Sequence, residues 1–152
     1  MLLKDEVQIL RHVPLLAGAS SARLKLLAFT SDRVRYEAGA VLFRQGDTGD
    51  AAYIILSGVA DVLVASPGGE IKVAQLSAPA LIGEISILCD VARTATVRAE
   101  TPVEALKVRK DEFLKLMDFP DVALQVVRVL AERLAKTTAE LTLERGNRLP
   151  AP

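Results

Sequence analysis

The sequence is poor in the residues from which most catalytic and metal centres are built. It contains one histidine, His12, one cysteine, Cys89, and no tryptophan among 152 residues. A metal-dependent β-barrel enzyme needs several histidine and carboxylate ligands, and an internal disulfide needs two cysteines. Nothing in the sequence pairs His12 with Cys89, so we expect packing or surface roles for both. The sequence therefore predicts no catalytic residues and no metal site.

Excess charge and long apolar runs are also missing. Nineteen basic residues balance nineteen acidic ones, whereas proteins that contact many DNA phosphates are usually basic. No run reaches the roughly 18 apolar residues that a membrane-spanning helix needs. Acidic residues follow the N-terminus too soon for a signal peptide. We expect a soluble cytoplasmic protein that binds neither DNA nor a membrane directly.

Aromatic residues make up only 4% of the chain, whereas hydrophobic residues make up 51%. The core is therefore expected to consist mainly of Val, Leu, Ile and Ala. A chain of 152 residues suits one domain, so we predict a single domain over 1–152.

The hydrophobic pattern changes its period twice along the chain. Residues 5–31 have helical spacing that Pro14 interrupts and that Ser20-Ser21 can cap again. Residues 33–109 form short β-branched stretches between turn residues, which is typical of a roll, barrel or sandwich. Helical spacing returns over 111–145, with an expected end at Gly146-Asn147 and a tail over 146–152. The predicted strands are 34–36, 40–44, 51–56, 59–65, 71–76, 94–100 and 103–109.

One segment, residues 81–97, interrupts the series of strands. Its apolar piece from Gly83-Glu84 is too short for an ordinary helix, and we interpret it as a single helical turn. A glycine allows close approach of a ligand, and the unpaired N–H groups of a helix start favour an anion. Arg93 can bind the same anion through charge-assisted hydrogen bonds, with the Thr94 hydroxyl beside it. Glu84 would repel phosphate but suits a sugar hydroxyl, and an anion beside a sugar indicates a nucleotide.

Each of these residues also has a purely structural interpretation. Glu84 can serve as the acid at a helix start, and Arg93 can be its surface ion-pair partner. Gly46, Gly49 and Gly58 are expected to form turns. Leu88 and Cys89 are expected to pack beneath the segment.

Gly83-Glu84-Ile85-Ser86, followed by Arg93-Thr94-Ala95-Thr96, resembles the phosphate-binding cassette of the cyclic-nucleotide-binding domain family. This family includes catabolite activators, regulatory subunits of protein kinase A and cyclic-nucleotide-gated channels. The glycine-punctuated stretches 43–50 and 53–58 extend the resemblance to about residues 10–143. It implies an α+β fold, an eight-stranded, jelly-roll-like β-roll flanked by N-terminal helices and a long C-terminal helix, with a short phosphate-binding helix inside. One departure is Ala92, where many members have proline.

The resemblance also implies roles for residues. The ligand would be cAMP, cGMP or both, with no further cofactor. Glu84 would accept the ribose 2′-hydroxyl, Arg93 would pair with phosphate oxygens, and hydroxyls near Thr137-Thr138 would contact the purine. The expected ligand-binding residues are Gly83, Glu84, Ile85, Ser86, Arg93, Thr94, Ala95 and Thr138.

The C-terminal helix carries a regular apolar stripe. Its members are spaced alternately by three and four positions, as in a coiled-coil seam: Val127, Leu130, Leu134, Thr137 and Leu141. The same stripe is typical of a helix lying on its own domain. Val126, Val129 and Leu143 broaden the apolar face, which favours a helix that contacts both its own domain and a second copy in a homodimer.

Three hypotheses of function remain from the sequence. The first is a cyclic-nucleotide sensor that repositions its C-terminal helix toward an unknown effector protein. The second is a structural or interaction β-roll that has lost its ligand, and the third, a β-barrel enzyme, conflicts with the single histidine. Catabolite-activator-type regulators continue into a helix-turn-helix segment, and no such pattern follows here. The sequence is therefore expected to be either an excised domain or a standalone sensor.

Overall fold

Eight strands form two four-stranded antiparallel sheets in the computed structural model, which describes residues 3–148. The strands are β1 (Asp32–Tyr36), β2 (Val41–Phe43), β3 (Ala51–Ser57), β4 (Val59–Ser66), β5 (Gly69–Ser77), β6 (Ala80–Ile82), β7 (Thr96–Ala99) and β8 (Val103–Arg109). The helices are α1 (Leu3–Arg11), a 3₁₀ turn (Pro14–Leu16), α2 (Ser21–Thr30), α3 (Glu84–Leu88), α4 (Lys110–Leu116) and α5 (Pro120–Arg148). The sheet orders are β1-β8-β3-β6 and β2-β7-β4-β5.

The central strand β3 is buried on both of its faces. Because side chains alternate along a strand, its apolar residues divide between two cores. Ala52, Ile54 and Leu56 pack with the helices, whereas Tyr53 and Ile55 pack between the two sheets. This double burial explains why β3 reads as a continuous apolar run rather than an alternating one.

The start of α5 is attached to the N-terminal helices. Arg23 on α2 forms an ion pair with Asp121, and one of the two hydrogen bonds between them measures 2.6 Å. The Gln125 amide donates to the Pro14 carbonyl at 3.0 Å. Val122 and Val126 are buried in the helical core. The first turns of α5 are therefore fixed to the domain.

The predicted fold class is confirmed, including the short helix α3 within the roll. Ser20 caps α2, since its hydroxyl accepts a hydrogen bond from the Arg23 N–H at 3.3 Å. The strand β6 was absent from the seven strands predicted by pattern. Its three residues between Pro79 and Gly83 are too few to show alternation.

The predicted end of the last helix was wrong. Helix α5 continues to Arg148 and passes through Gly146 and Asn147 instead of ending there. A glycine inside a helix costs only about 1 kcal/mol relative to alanine, so it marks a helix end without enforcing one. The part of the predicted tail at 149–152 lies outside the described residues. The single-domain assignment of 1–152 stays a prediction.

Over residues 3–148, no helix combines the length and the apolar character needed to cross a membrane.

Candidate functional site

A cavity of about 470 Å³ lies between the second sheet and α3, with α5 at its edge. This volume is in the range of small-molecule sites. Most of the lining is apolar, and its charged members are Glu84, Arg93 and Arg133. The lining residues are Phe43, Val62, Ala74, Leu76, Leu81, Ile82, Gly83, Glu84, Ile85, Ser86, Arg93, Thr94, Ala95, Val97 and Arg133. Seven of the eight residues expected to bind ligand therefore meet in one cavity.

Gly83, which precedes α3, has a conformation and a close contact that only glycine accommodates. Its φ is +83°, in the left-handed region that side chains disfavour. A Cβ at this position would lie 2.5 Å from Nη1 of Arg93. The sequence predicted that this glycine allows a ligand to come close to the backbone. In the structure, the group that comes close to Gly83 is the guanidinium of Arg93.

Arg93 is a buried cation with most of its donors engaged. Only 3% of the residue is exposed. Nη1 donates to the Gly83 carbonyl at 2.9 Å and to the Ser86 hydroxyl at 2.8 Å, and Nη2 donates to the Ala51 carbonyl. Nε is buried and has no hydrogen-bond partner. Burial lowers the pKa of Arg93 from its usual value, yet an arginine stays protonated in proteins.

Gly49 supports the same site, although the sequence indicated only a turn. A Cβ on Gly49 would lie 2.3 Å from the Ser86 hydroxyl and 2.7 Å from Ser86 Cβ. The absence of a side chain at Gly49 therefore allows Ser86 to stand where it accepts from Arg93.

Glu84 has a partner that the sequence did not indicate. Only 5% of Glu84 is exposed, and its carboxylate accepts a hydrogen bond from Nη1 of Arg133 at 3.2 Å. Glu84 begins α3, whereas Arg133 lies on α5, 49 positions later. The purely structural interpretation paired Glu84 with Arg93, and the structure pairs it with Arg133 instead. This ion pair joins the cavity to the C-terminal helix.

Phe43, at the end of β2, is another lining residue that the sequence did not indicate as part of the site. The guanidinium carbon of Arg93 lies 4.1 Å from the centre of the Phe43 ring. Phe43 in turn contacts Tyr53, and Tyr53 contacts Tyr36 edge to face. Burial raises the pKa of Tyr36 to about 12, so this phenol is neutral at physiological pH.

The remaining expected site residues differ in their placement. Thr94, Ala95 and Ile85 line the cavity, and Ile85 is 45% exposed. Thr138 is exposed on α5 and is not among the residues that line the cavity. It lies five positions beyond Arg133, or about 7.5 Å along the helix axis. The structure therefore does not bring Thr138 to the site of its own chain.

Cys89 and His12 stand apart from the cavity lining. Cys89 is exposed, so the prediction that it packs beneath α3 was wrong, because it sits at the C-terminal cap of a five-residue helix. Leu88 does pack against the helical core. His12 is exposed, with Nδ1 2.8 Å from the Gln8 carbonyl. Within residues 3–148, no cluster of three or more His, Cys, Asp or Glu residues could hold a metal ion.

The apolar stripe of α5 is divided between two environments. Val126 and Val129 are buried against the domain, and Leu130 packs partly against it. In contrast, Leu134 is 68% exposed in the single chain, and Val127, Leu141 and Leu143 are exposed as well. The part of the helix beyond Leu130 thus presents its apolar residues to solvent.

Comparison with known proteins identifies the family to which the chain belongs. The family model described as the cyclic nucleotide-binding domain matches residues 33–118, more than half of the chain. The chain belongs to the cyclic nucleotide-binding domain family.

Individual relatives support this membership. A CRP-like cAMP-activated global transcriptional regulator of Mycobacterium tuberculosis is 29% identical over 136 residues, covering 88% of this chain and 61% of that protein. The catabolite activator protein of Thermus thermophilus has a similar crystal structure, with a TM-score of 0.78 and 32% identity over 87% of this chain and 63% of that one. The regulatory subunit of a cAMP-independent protein kinase A from Trypanosoma brucei has a TM-score of 0.76 and 26% identity, over 94% of this chain and 51% of that one. The chain therefore spans less than two thirds of each of these proteins.

Proposed function

We propose that the chain is a cyclic-nucleotide sensor whose cavity binds cAMP, and also cGMP, and which signals through α5. The observation that carries this proposal is Arg93, a buried cation that lines the cavity with its Nε–H unpartnered. A buried donor without a partner is costly, and a charge-assisted hydrogen bond to a ligand phosphate would remove that cost.

The cassette supplies the other contacts to the cyclic phosphate and the ribose. Thr94 and Ser86 line the cavity beside Arg93 and offer hydroxyls, and Gly83 and Ala95 leave room for the ligand. Glu84 is acceptor-only when ionised, so it suits the ribose 2′-hydroxyl better than the phosphate. The apolar lining from β4 and β5, with Val62, Ala74 and Leu76, suits the face of a purine.

The signal passes from Glu84 to Arg133. A ribose hydroxyl that donates to Glu84 competes with the hydrogen bond that this carboxylate now accepts from Arg133. Because Arg133 belongs to the exposed part of α5, a change in this pair alters how that part of the helix is held. Repositioned in this way, α5 would present a different surface to an effector protein.

A second copy of the chain would complete the site. Thr138 lies beyond the reach of the cavity in its own chain, whereas the exposed stripe of α5 has the spacing of a coiled-coil seam. In a homodimer through this seam, the α5 helix of the second copy could bring its own Thr138 toward a purine.

Several negative features also belong to the proposal. We expect the chain to act as a binding module without catalysis and without a cofactor, and His12 and Cys89 lie outside the cavity lining. It contacts neither DNA nor a membrane directly, and it acts in the cytoplasm.

The alternative function is a β-roll that serves interaction without a nucleotide. One similar structure is, by its description, a regulatory subunit of a cAMP-independent protein kinase A, so this fold is found in a protein described as independent of cAMP. The buried, unpartnered Nε of Arg93 favours ligand binding over this alternative.

Titration calorimetry with cAMP and cGMP, joined to a mass measurement in solution, tests the proposal. We expect both nucleotides to bind, and the Arg93→Ala variant to lose at least tenfold in affinity, since a hydrogen bond to a charged group is worth about 1.5–3 kcal/mol. Arg98→Ala, a half-exposed arginine on β7 outside the cavity, is the matched control. Absence of binding to either nucleotide would support the ligand-free alternative.

A further inference from the structure

Three aromatic rings, those of Tyr36, Tyr53 and Phe43, form a row that ends at the guanidinium of Arg93. The chain has only four phenylalanines and two tyrosines, and three of these six rings stand in succession. Tyr36 meets Tyr53 edge to face at 6.4 Å between ring centres, and Tyr53 lies 5.8 Å from Phe43. Phe43 then faces Arg93, whose guanidinium carbon is 4.1 Å from the ring centre.

An aromatic ring is a better neighbour than a carboxylate for an arginine that has to bind an anionic ligand. Arg93 is almost fully buried, and its nearest carboxylate partner, Asp50, is exposed and 3.8 Å away. A carboxylate paired directly with the Arg93 guanidinium would occupy the N–H groups that an anionic ligand needs, and it would repel that ligand from this position. The face of an aromatic ring stabilises a cation through its quadrupole and takes up none of the N–H donors of the guanidinium.

The orientation of this plane matters for ligand binding. The acceptors at Gly83, Ser86 and Ala51 engage Nη1 and Nη2, and the guanidinium carbon stands over the Phe43 ring. Pairing of a guanidinium with a phosphate depends on its planar geometry, so a fixed plane removes an ordering cost at the moment of binding.

We infer that Phe43 is a positioning residue, which holds the Arg93 guanidinium in the orientation that receives the cyclic phosphate. Tyr53 and Tyr36 support Phe43 from behind. This inference rests on the proposed function, because it assigns to Arg93 the role of phosphate ligand. It also makes a specific claim about selectivity, since Phe43 acts on the phosphate alone and not on the base.

Calorimetry of Phe43→Leu and Phe43→Tyr tests the claim. We expect Phe43→Leu to bind cAMP, cGMP and 2′-deoxy-cAMP about fivefold to thirtyfold more weakly, by the same factor for all three, because they share the cyclic phosphate. Phe43→Tyr retains the ring and should stay within about threefold of the wild type. Phe29→Leu, which removes a 79% exposed ring on α2, is the matched control and should bind as the wild type does.

Arginine side-chain NMR on the ligand-free protein separates this inference from the proposed function. A ring stacked on the guanidinium should shift the Arg93 Hε signal upfield, and Phe43→Leu should abolish the shift while Phe29→Leu preserves it. If Phe43→Leu does not fold, as judged by circular dichroism, Phe43→Met replaces it.

Wild-type protein that binds no nucleotide contradicts the proposed function, and an Hε signal without an upfield shift contradicts the stacking. Unchanged affinity in Phe43→Leu, or a loss confined to one base, overturns the positioning role.

Discussion

Arg133 on α5 donates a hydrogen bond to Glu84 on α3 at 3.2 Å, and the two side chains differ greatly in their exposure. The Glu84 side chain is 6% exposed, whereas that of Arg133 is 50% exposed. The buried carboxylate depends on this partner, while the guanidinium can exchange the carboxylate for water. We therefore expect the pair to break when a ligand offers Glu84 another donor, and the break would change how Arg133 holds α5.

The first prediction concerns the stability of the ligand-free protein. Arg133→Met leaves a buried carboxylate without its partner, which costs about 1–3 kcal/mol in the free energy of unfolding. Arg128→Met, at an exposed arginine on the same helix, should change it by less than about 0.5 kcal/mol. Urea denaturation of the two variants gives the comparison. Equal effects would mean that the Glu84–Arg133 pair does not hold α5.

The second prediction concerns the ribose. Glu84→Gln removes the charge of the carboxylate that is proposed to accept a hydrogen bond from the 2′-hydroxyl. It should therefore weaken cAMP binding by about fivefold to tenfold. The loss should be smaller for 2′-deoxy-cAMP, which lacks the hydroxyl. Calorimetry with both ligands gives the two factors, and equal losses would assign Glu84 another role.

Local residues of the site could be predicted from the sequence, and distant ones could not. The residues Gly83 to Ser86 and Arg93 to Ala95 lie within one short segment, where spacing and residue type indicate an anion site. Phe43 and Arg133 reach the cavity only through the sheet pairing and the docking of α5. An arginine on an exposed helix face and a phenylalanine in a short strand carry no signal of what they will contact. Gly49 was assigned to a turn because the Ser86 side chain it accommodates is also distant in sequence.

The boundaries of the fold show the same limit. The period-2 and period-3.6 patterns placed the sheets and the helices, since burial on one face is a local property of an element. The strand β6 and the end of α5 at Arg148 depend on partners or on small propensity differences. The residues next to β6 and next to the end of α5 therefore do not predict either feature.

The third prediction concerns assembly. Leu134→Glu places a charge in the proposed seam of the homodimer, and burying that charge costs several kcal/mol, so the variant should be monomeric. Its fold should be unchanged, because Leu134 is 68% exposed in the single chain. Leu26→Glu, at a residue 60% exposed on α2, is the matched control and should leave the mass unchanged. Light scattering that finds the nucleotide-bound wild type already monomeric would contradict the dimer.

The fourth prediction concerns acid stability at the start of α5. The hydrogen bond from Arg23 lowers the pKa of Asp121 below its usual range. A carboxylate with a lowered pKa in the folded state stabilises the protein above its unfolded pKa, near 4, and this contribution disappears as the pH falls through the folded value. The stability difference between the wild type and Asp121→Asn should therefore be present at pH 6 and shrink toward pH 3. Thermal unfolding across this range measures the difference, and a gap that stays constant with pH would show that the charge of Asp121 has no part in it.

The last prediction concerns the choice between the two nucleotides. Thr94 follows Arg93 directly and lines the cavity. We expect its hydroxyl to bond either the phosphate or the amino group of a guanine turned over the sugar. A single neutral hydrogen bond is worth about 0.5–1.5 kcal/mol, or roughly tenfold at most, so this residue tunes the preference without deciding binding. We expect both nucleotides to bind with a modest preference for cAMP, and Thr94→Ala to lower cGMP affinity more than cAMP affinity. Thr48→Ala, at an exposed threonine outside the cavity lining, should change neither. Competition titrations give the ratio directly: a wild-type preference for cGMP, or a Thr94→Ala loss confined to cAMP, would contradict this assignment of the Thr94 hydroxyl.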